Sequence, residues 1–372
     1  MEKGTPRVES LKSLDPVLIQ WIFFAAKIGL LFGLAFGVIA PLMVWVERRV
    51  CAFIQDRVGP NRVGPLGLLQ TLADGLKLLL KEDLRPTEVH PVFFYLAPIL
   101  AVIPAVMAFA VIPFGPPTTL GGLFAEPQRL QIANLNVGFL YCLAISSLAV
   151  YSIALAGWAS NNKFSVLGSL RASAQMISYE LAMGLAVISV VLLSGSVDLV
   201  RIVESQSNMW HIVPGILAFA TFLPAMFAET NRTPFDMAEA EAELVVGFHT
   251  EYSGMKFGLF FLAEYVNMTT ISALCVLFFF GGWNLFPGVS WADVGVDTNS
   301  LIMGILPAVV IPASWFFAKV AFFLFFFVWI RWTLPRFRYD QLMSLGWKTL
   351  VPIGLFNIAL TAIILAYRSG AH

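Results

Sequence analysis

Charge is scarce in this sequence: only 12% of its 372 residues are Asp, Glu, Lys or Arg. Soluble domains carry about 25% charged and about 45–50% apolar residues, whereas here 58% are hydrophobic, with 33 Phe. That balance argues against a soluble globular domain, because too little polar surface remains to wet an exterior. Net charge is zero, so no basic excess points to nucleic acid. Cysteine is nearly absent. Cys51, Cys142 and Cys275 lie far apart with no CxxC, which argues against a thiolate-held zinc ion or iron–sulfur cluster within this chain. His90, His211, His249 and His372 are scattered, and no two show metal-ligand spacing. No GxGxxG follows a strand and no Walker A motif occurs, so binding of NADH, flavin or ATP has no sequence basis. If the protein serves a redox reaction, its electrons travel in a partner.

What is present is long apolar runs. They fall at 17–46, 92–113, 135–157, 172–197, 211–230, 256–281, 302–331 and 349–367, each about the length that crosses a bilayer. The expectation is an all-α integral membrane protein of about eight transmembrane helices, with a polar tail at 1–16 and a single transmembrane domain from 17 to 372. The first run is too long for a signal peptide and lacks a small-residue cleavage site, so it is expected to be retained. Pro214 and Pro224 interrupt the fifth run; prolines are tolerated in spans when neighbours satisfy the freed carbonyls. Counting Lys256 and Arg331 at the run ends with their loops, 15 Lys and Arg belong to the loops after odd-numbered runs and 6 lie on the other side. The odd-numbered loops are therefore expected in the cytoplasm, with both termini opposite.

The first loop holds a different element. In Pro65–Asp83, Leu69, Leu72, Leu76 and Leu80 recur at steps of three and four, opposite Gln70, Asp74, Lys77 and Lys81. This pattern fits an amphipathic helix lying at the membrane interface; packing on a soluble partner is the other reading. In the first run Gly29, Gly33 and Gly37 form a stripe. Such a stripe permits close helix packing, or offers a smooth wall to a long isoprenoid tail.

Ionisable residues inside spans are costly and usually functional. Glu180 is expected about 13 Å into the fourth span, Glu264 at a similar depth in the sixth, and Glu229 at the end of the fifth. The three can share one layer in the cytoplasmic half, either as proton-coupling groups or as protonated carboxyls that hydrogen-bond neighbouring helices. Lys319 is placed deep in the seventh span, whereas Lys27 is near enough to an end to snorkel. After the fifth span, Thr233 as N-cap, Pro234 at the first position and Asp236 closing a capping box predict a helix that stops at Gly247. Asp236, Glu239 and Glu243 would share one face of it, with Glu241 off that face. Crowded acids titrate as a coupled set and can pass protons; a solvated acidic surface or a divalent-cation site are the competing readings.

Several stretches resemble one family. They are Glu47-Arg48-Arg49, Arg57-Val-Gly-Pro-Asn-Arg62-Val-Gly-Pro, Leu69-Gln70, Ala73-Asp74-Gly75 and Lys81-Glu82 in the first loop, and Ile177-Ser178-Tyr179-Glu180 in the fourth span. Further on come Glu229-Thr-Asn-Arg-Thr-Pro-Phe-Asp236 with the acids after it, Glu251-Tyr252-Ser253-Gly254, and Arg331-Trp-Thr-Leu-Pro-Arg336-Phe-Arg338-Tyr-Asp340-Gln341. Together they resemble the quinone-channel membrane component, the H subunit, of respiratory complex I, the proton-pumping NADH:quinone oxidoreductase, from about Trp21 to the last span.

The resemblance implies a membrane subunit, in a bacterial inner membrane with its N-terminus periplasmic, that carries no redox centre of its own. It implies a chamber that admits ubiquinone or menaquinone, built with the soluble quinone-reducing and iron–sulfur subunits, with small membrane subunits and lipid as further neighbours. Glu47, Arg48, Arg49, Arg62 and Asp74 would lie near that chamber. Glu180, Asp236, Glu239, Glu241 and Glu243, with Glu229 and Glu264, would couple quinone chemistry to protons. No flavin, iron–sulfur cluster or metal is expected on this chain. The homologous membrane component of an energy-converting hydrogenase, a stand-alone secondary transporter and a structural anchor are the alternatives.

Overall fold

The computed structural model describes residues 16–118, 127–238, 245–291, 293 and 309–370. The described residues are mainly helical, and their only bridges are the isolated pairs Thr118–Gln128 and Phe286–Val289. In chain order the helices are α1 Pro16–Phe32, α2 Ala40–Ile54, α3 Gln70–Leu80, α4 Pro91–Phe109, α5 Gly138–Ala159 and α6 Lys163–Ser194. They continue with α7 Leu199–Glu204, α8 Ile216–Glu229, α9 Gly254–Phe279, α10 Ile311–Thr333, α11 Tyr339–Leu345 and α12 Val351–Gly370. A π-helical stretch, Gly33–Ile39, joins α1 to α2, and another, Gly346–Leu350, joins α11 to α12.

Six of the expected spans have described helices long and apolar enough to cross a bilayer: α4, α5, α6, α9, α10 and the continuous run Tyr339–Tyr367. The chain is an all-α, multi-pass membrane protein. Three runs differ from expectation. The first does not stop at 46 but continues through α2 to Ile54, because helical hydrogen bonding outlasts the apolar stretch. The fifth is only 14 residues long, Ile216–Glu229. Pro214 lacks a donor, and the chain before α8 closes a turn in which Gly215 N donates to His211 O at 2.8 Å. The fourth helix also begins earlier, at Lys163, where the Asn162 side chain caps the Phe164 amide at 3.0 Å. At 32 residues, α6 is about 48 Å long, well beyond a bilayer core of about 30 Å.

The core sits around α9. In its most apolar window 72% of residues are buried, against 22% in the Tyr339–Tyr367 run. Helices α4, α10, α2 and α3 pack against α9, and α5, α6, α8 and α12 extend the bundle through successive neighbours. Small residues allow the close approaches. Ala97, Ala101, Ala105 and Ala108 are buried along α4, and the Ser169 side chain lies where a Cβ on Gly157 would fall. Gly168 lies against Gly247, whose Cα is 2.9 Å from where a Cβ would be. The Gly29, Gly33 and Gly37 stripe does not serve this purpose: none of the three has a described neighbour within 4 Å of an added Cβ. A glycine stripe in sequence marks permission for close packing, and the partner helix decides whether it is used. Polar bonds join other helices, such as Asn357 Nδ2 donating to Ser189 Oγ at 2.7 Å between α12 and α6.

The first-loop helix is real but shorter than its sequence pattern, Gln70–Leu80, with no fully buried residue. Leu69, Leu72, Leu76, Leu79 and Leu80 are all exposed. Before it, Gly67 turns at φ +76°, and a Cβ there would strike the Pro60 carbonyl; this accounts for a glycine just after the repeated Val-Gly-Pro pattern. Lys256 of α9 anchors the loop through Asp83 at 2.7 Å.

The two span lysines are both hydrogen-bonded to backbone carbonyls. Lys27 Nζ donates to the carbonyls of Arg129 at 2.8 Å and Gln131 at 3.1 Å. Lys319 Nζ donates to three carbonyls just beyond α9: Phe280 at 2.8 Å, Gly282 at 3.0 Å and Asn284 at 2.6 Å. The ammonium satisfies acceptors that the helix terminus leaves orphaned.

Candidate functional site: a buried carboxylate and arginine cluster

Glu47 stands in the last turns of α2 with 6% of its surface exposed. A carboxylate so enclosed needs partners, and three elements supply them. Arg232, in the turn after α8, donates through Nη1 to Glu47 Oε2 at 3.0 Å and Oε1 at 3.1 Å. The Tyr265 hydroxyl of α9 donates to Glu47 Oε2 at 2.8 Å. Arg331, near the end of α10, pairs with Glu47 Oε1. Arg232 also pairs through Nε with Glu264, the residue before Tyr265, and its guanidinium lies 4.6 Å from the Tyr265 ring centroid. Two acids therefore balance two arginines, which is how charge persists in a low-dielectric interior.

Beside this cluster lie two small cavities. One, of about 60 Å³, is lined by Glu229, Glu264, Asn231, His249 and Ser152 among others. The second, of about 40 Å³, is lined by Glu229, Ser146, Cys142 and Thr270 among others. Ala149, Glu229, Thr230 and Asn267 border both. A water needs about 10–15 Å³ of such space, so each cavity has room for more than one. Glu229 Oε2 is buried and has no hydrogen-bond partner among the described residues. Glu180 of α6 accepts from Ser147 of α5 and lies within electrostatic reach of Glu229. Burial pushes the His249 imidazole down to about 3, which favours its neutral form.

The fold thus brings Glu229 and Glu264 to one cavity, with Glu180 close behind. Other expected residues sit elsewhere. Asp236 is buried and pairs with Arg336 at 2.9 Å. Its segment is not the start of a helix: residues 233–238 form turns, in which Phe235 N donates to Arg232 O at 2.9 Å. The expected cap loses because tertiary contacts take the segment, with Phe235 packing on the rings of Tyr179 and Phe337. Gly247 begins a short 3₁₀ turn, Gly247–His249, instead of ending a helix. Glu239, Glu241 and Glu243 lie outside the described residues. In the first loop, Arg48 pairs with Asp74, which also accepts from Gln70 at 3.2 Å. Arg49 donates to Leu66 O at 2.7 Å, and Arg62 is exposed.

Sequence reasoning assigned no role to Arg232, Tyr265 and Arg331 in this cluster, or to Ser147 and Asn267 beside it. Arg232 and Arg331 lie inside the family-like stretches, and a basic residue near a buried acid is the signal that could have found them. Ser147 and Asn267 carry none, since polar residues of that size are common in membrane helices. Among the described residues, no group of three or more His, Cys, Asp or Glu side chains converges as a metal site would.

The sequence matches the profile of the NADH dehydrogenase family over residues 26–362. It is 52% identical over 355 residues to the first H subunit of the NADH-quinone oxidoreductase of Geobacter metallireducens, covering 95% of this chain and all of that one. Against the NADH-quinone oxidoreductase H subunit of Leptospira biflexa the identity is 52% over 330 residues, covering 86% of this chain and 89% of the relative. The Syntrophotalea carbinolica protein of that name is 48% identical over 357 residues, covering 95% and 100%. With a shared profile over most of its length and near-full coverage of these relatives, the chain belongs to the NADH dehydrogenase family, among the H subunits of NADH-quinone oxidoreductase.

Proposed function

We propose that this protein is the membrane subunit of a proton-pumping NADH:quinone oxidoreductase that forms much of the quinone-access chamber and couples quinone reduction to proton movement. It sits in a bacterial inner membrane with its N-terminus on the periplasmic side and anchors the soluble arm through its cytoplasmic loops. Electron transfer belongs to partner subunits, in keeping with the missing nucleotide and thiolate motifs. One observation carries the coupling role: two span carboxylates, Glu229 and Glu264, line cavities large enough for water, and Glu180 lies within electrostatic reach of Glu229. The Glu47–Arg232–Glu264–Arg331 cluster joins that group to the loop side, where Asp236 lies. A charge change near the chamber would alter each neighbouring carboxyl, since about 1.4 kcal/mol of interaction moves a pKa by one unit.

Glu229 is the sharpest test because it borders both cavities. Changing Glu229→Gln keeps the volume and removes the titration. The assembled complex is expected to lose quinone reductase activity by about a hundredfold or more, the range of a lost proton-transfer group. Transfer from NADH to an artificial acceptor that bypasses quinone should persist. Unchanged quinone reduction and pumping in the assembled variant would remove Glu229 from the pathway.

The chamber side has its own test. Exposed leucines on α3, with Asp74 held inward by Arg48, suit a helix that borders a lipid-level opening. A photoreactive quinone with a long isoprenoid tail is expected to label residues near Leu69–Leu80 or the π-helical stretch of the first span. Labelling confined to α10 and α12 would count against this placement.

A further inference from the structure

Gln175 lies on α6, fully buried, between the carboxylate-bearing parts of the site. Its amide nitrogen is 2.7 Å from Ala228 O, 2.6 Å from Phe235 O and 3.3 Å from Asn231 Oδ1. Two carbonyl oxygens and a side-chain oxygen around one atom fix it as the donor end of the amide. Ala228 immediately precedes Glu229. Asn231 precedes Arg232, and Phe235 precedes Asp236. One uncharged group therefore holds three points of the segment that carries Glu229, Arg232 and Asp236. Glu180 is on the same helix, five residues further along, or about 7.5 Å of rise. Asn231 is also touched from α6 by Met176, whose sulfur is 3.3 Å from Nδ2, and it sits at φ +51°, the left-handed conformation that Asn adopts more readily than most residues.

We propose that Gln175 is a positioning residue of the proton-coupling machinery, setting the separation of Glu180 from Glu229 by pinning the end of α8 and its turn to α6. The proposal rests on the coupling function proposed above. Around Glu229 the other charged or titratable groups among the described residues are Glu180 on α6, Glu264 on α9, the Cys142 thiol on α5, and His249 and Arg232 in the adjoining loop. Gln175 adjusts the geometry of this set without adding charge to it. Because Gln175 Oε1 has no partner among the described residues, a Leu at this position deletes the donor bonds and little else.

The test uses the complete complex in its own membranes, with Gln175→Leu, Gln175→Glu and Glu229→Gln measured in parallel. Complex content, NADH oxidation by an artificial acceptor, quinone kcat and KM, and the pH profile are read for each. Gln175→Leu is expected to assemble and to lose kcat by about tenfold through misplacement of groups it does not replace. Its KM for quinone should stay within about twofold, and its pH optimum should move because the separation of the two carboxyls has changed. Gln175→Glu supplies one O–H while protonated; ionised, it faces the same oxygens with no hydrogen to give. Its activity should approach wild type at low pH and fall reversibly as pH rises, a limb the wild type lacks. Wild-type kcat and pH profile in Gln175→Leu, beside an impaired Glu229→Gln, overturns the positioning role alone. Absence of both Gln175 variants from the membranes also overturns it, leaving Gln175 a folding residue. Full activity in Glu229→Gln removes the coupling reading and this proposal with it.

Discussion

Replacing Arg232 with Met is expected to be the most damaging single change in this chain. Arg232 is 4% exposed and faces Glu47 and Glu264 together. Without it, the two carboxylates share one arginine, Arg331, whose side chain is 26% exposed and which pairs directly with Glu47 alone, while Glu47 also keeps the Tyr265 hydroxyl. Breaking a buried ion pair from one side costs about 3–5 kcal/mol, because the orphaned charge stays desolvated. That is a large part of the stability of a typical domain, about 5–15 kcal/mol. The expected result is a steep fall in the amount of assembled complex and a lower midpoint of thermal inactivation for what remains. The double change Arg232→Met with Glu264→Gln should recover part of the loss, since Glu47 then keeps Arg331 and no second bare carboxylate remains. Arg232→Met complexes with wild-type abundance and thermal midpoint would show that the cluster does not hold the fold together.

Glu180→Gln is expected to leave the fold intact and to stop the coupled reaction. Gln keeps the size of the side chain and an oxygen that accepts from Ser147, but it no longer takes or gives a proton. If Glu180 relays protons or their electrostatic signal to Glu229, quinone reduction and pumping should fall together, by about a hundredfold or more. Electron transfer from NADH to an acceptor that bypasses quinone should survive. A carboxyl that only bridges α5 and α6 gives a different outcome: Gln is tolerated there, or assembly fails outright. Normal quinone reduction with normal pumping in the assembled variant would end the relay role for this residue, although family membership would stand.

Sequence and structure divide the site in an instructive way. Glu180, Glu229 and Glu264 stood out because each interrupts an apolar run, and that signal needs no partner to be seen. Arg232 did not, although it sits in the same stretch as Glu229, because an arginine just past a span reads as an ordinary interfacial charge. Its role appears only when α2 brings Glu47 beside it across 185 positions of sequence. The helical start expected at Thr233 is absent from residues 233–238 for a related reason. Capping propensity is worth about 1 kcal/mol, and burying Phe235 against Tyr179 and Phe337 outweighs it, since fully burying a large apolar side chain is worth about 1.5–3 kcal/mol.

By itself the sequence determined the solvent, the class of fold and the family. Apolar runs, sparse charge and amphipathic spacing are local properties, and a hydrocarbon interior admits few structures besides helices to satisfy them. Only the tertiary structure decided which charges meet, which glycines touch a neighbour and where Gln175 places its amide. Those choices depend on how several helices turn toward one another. Rotation about a helix axis leaves the hydropathy of the run unchanged, yet it redirects every side chain.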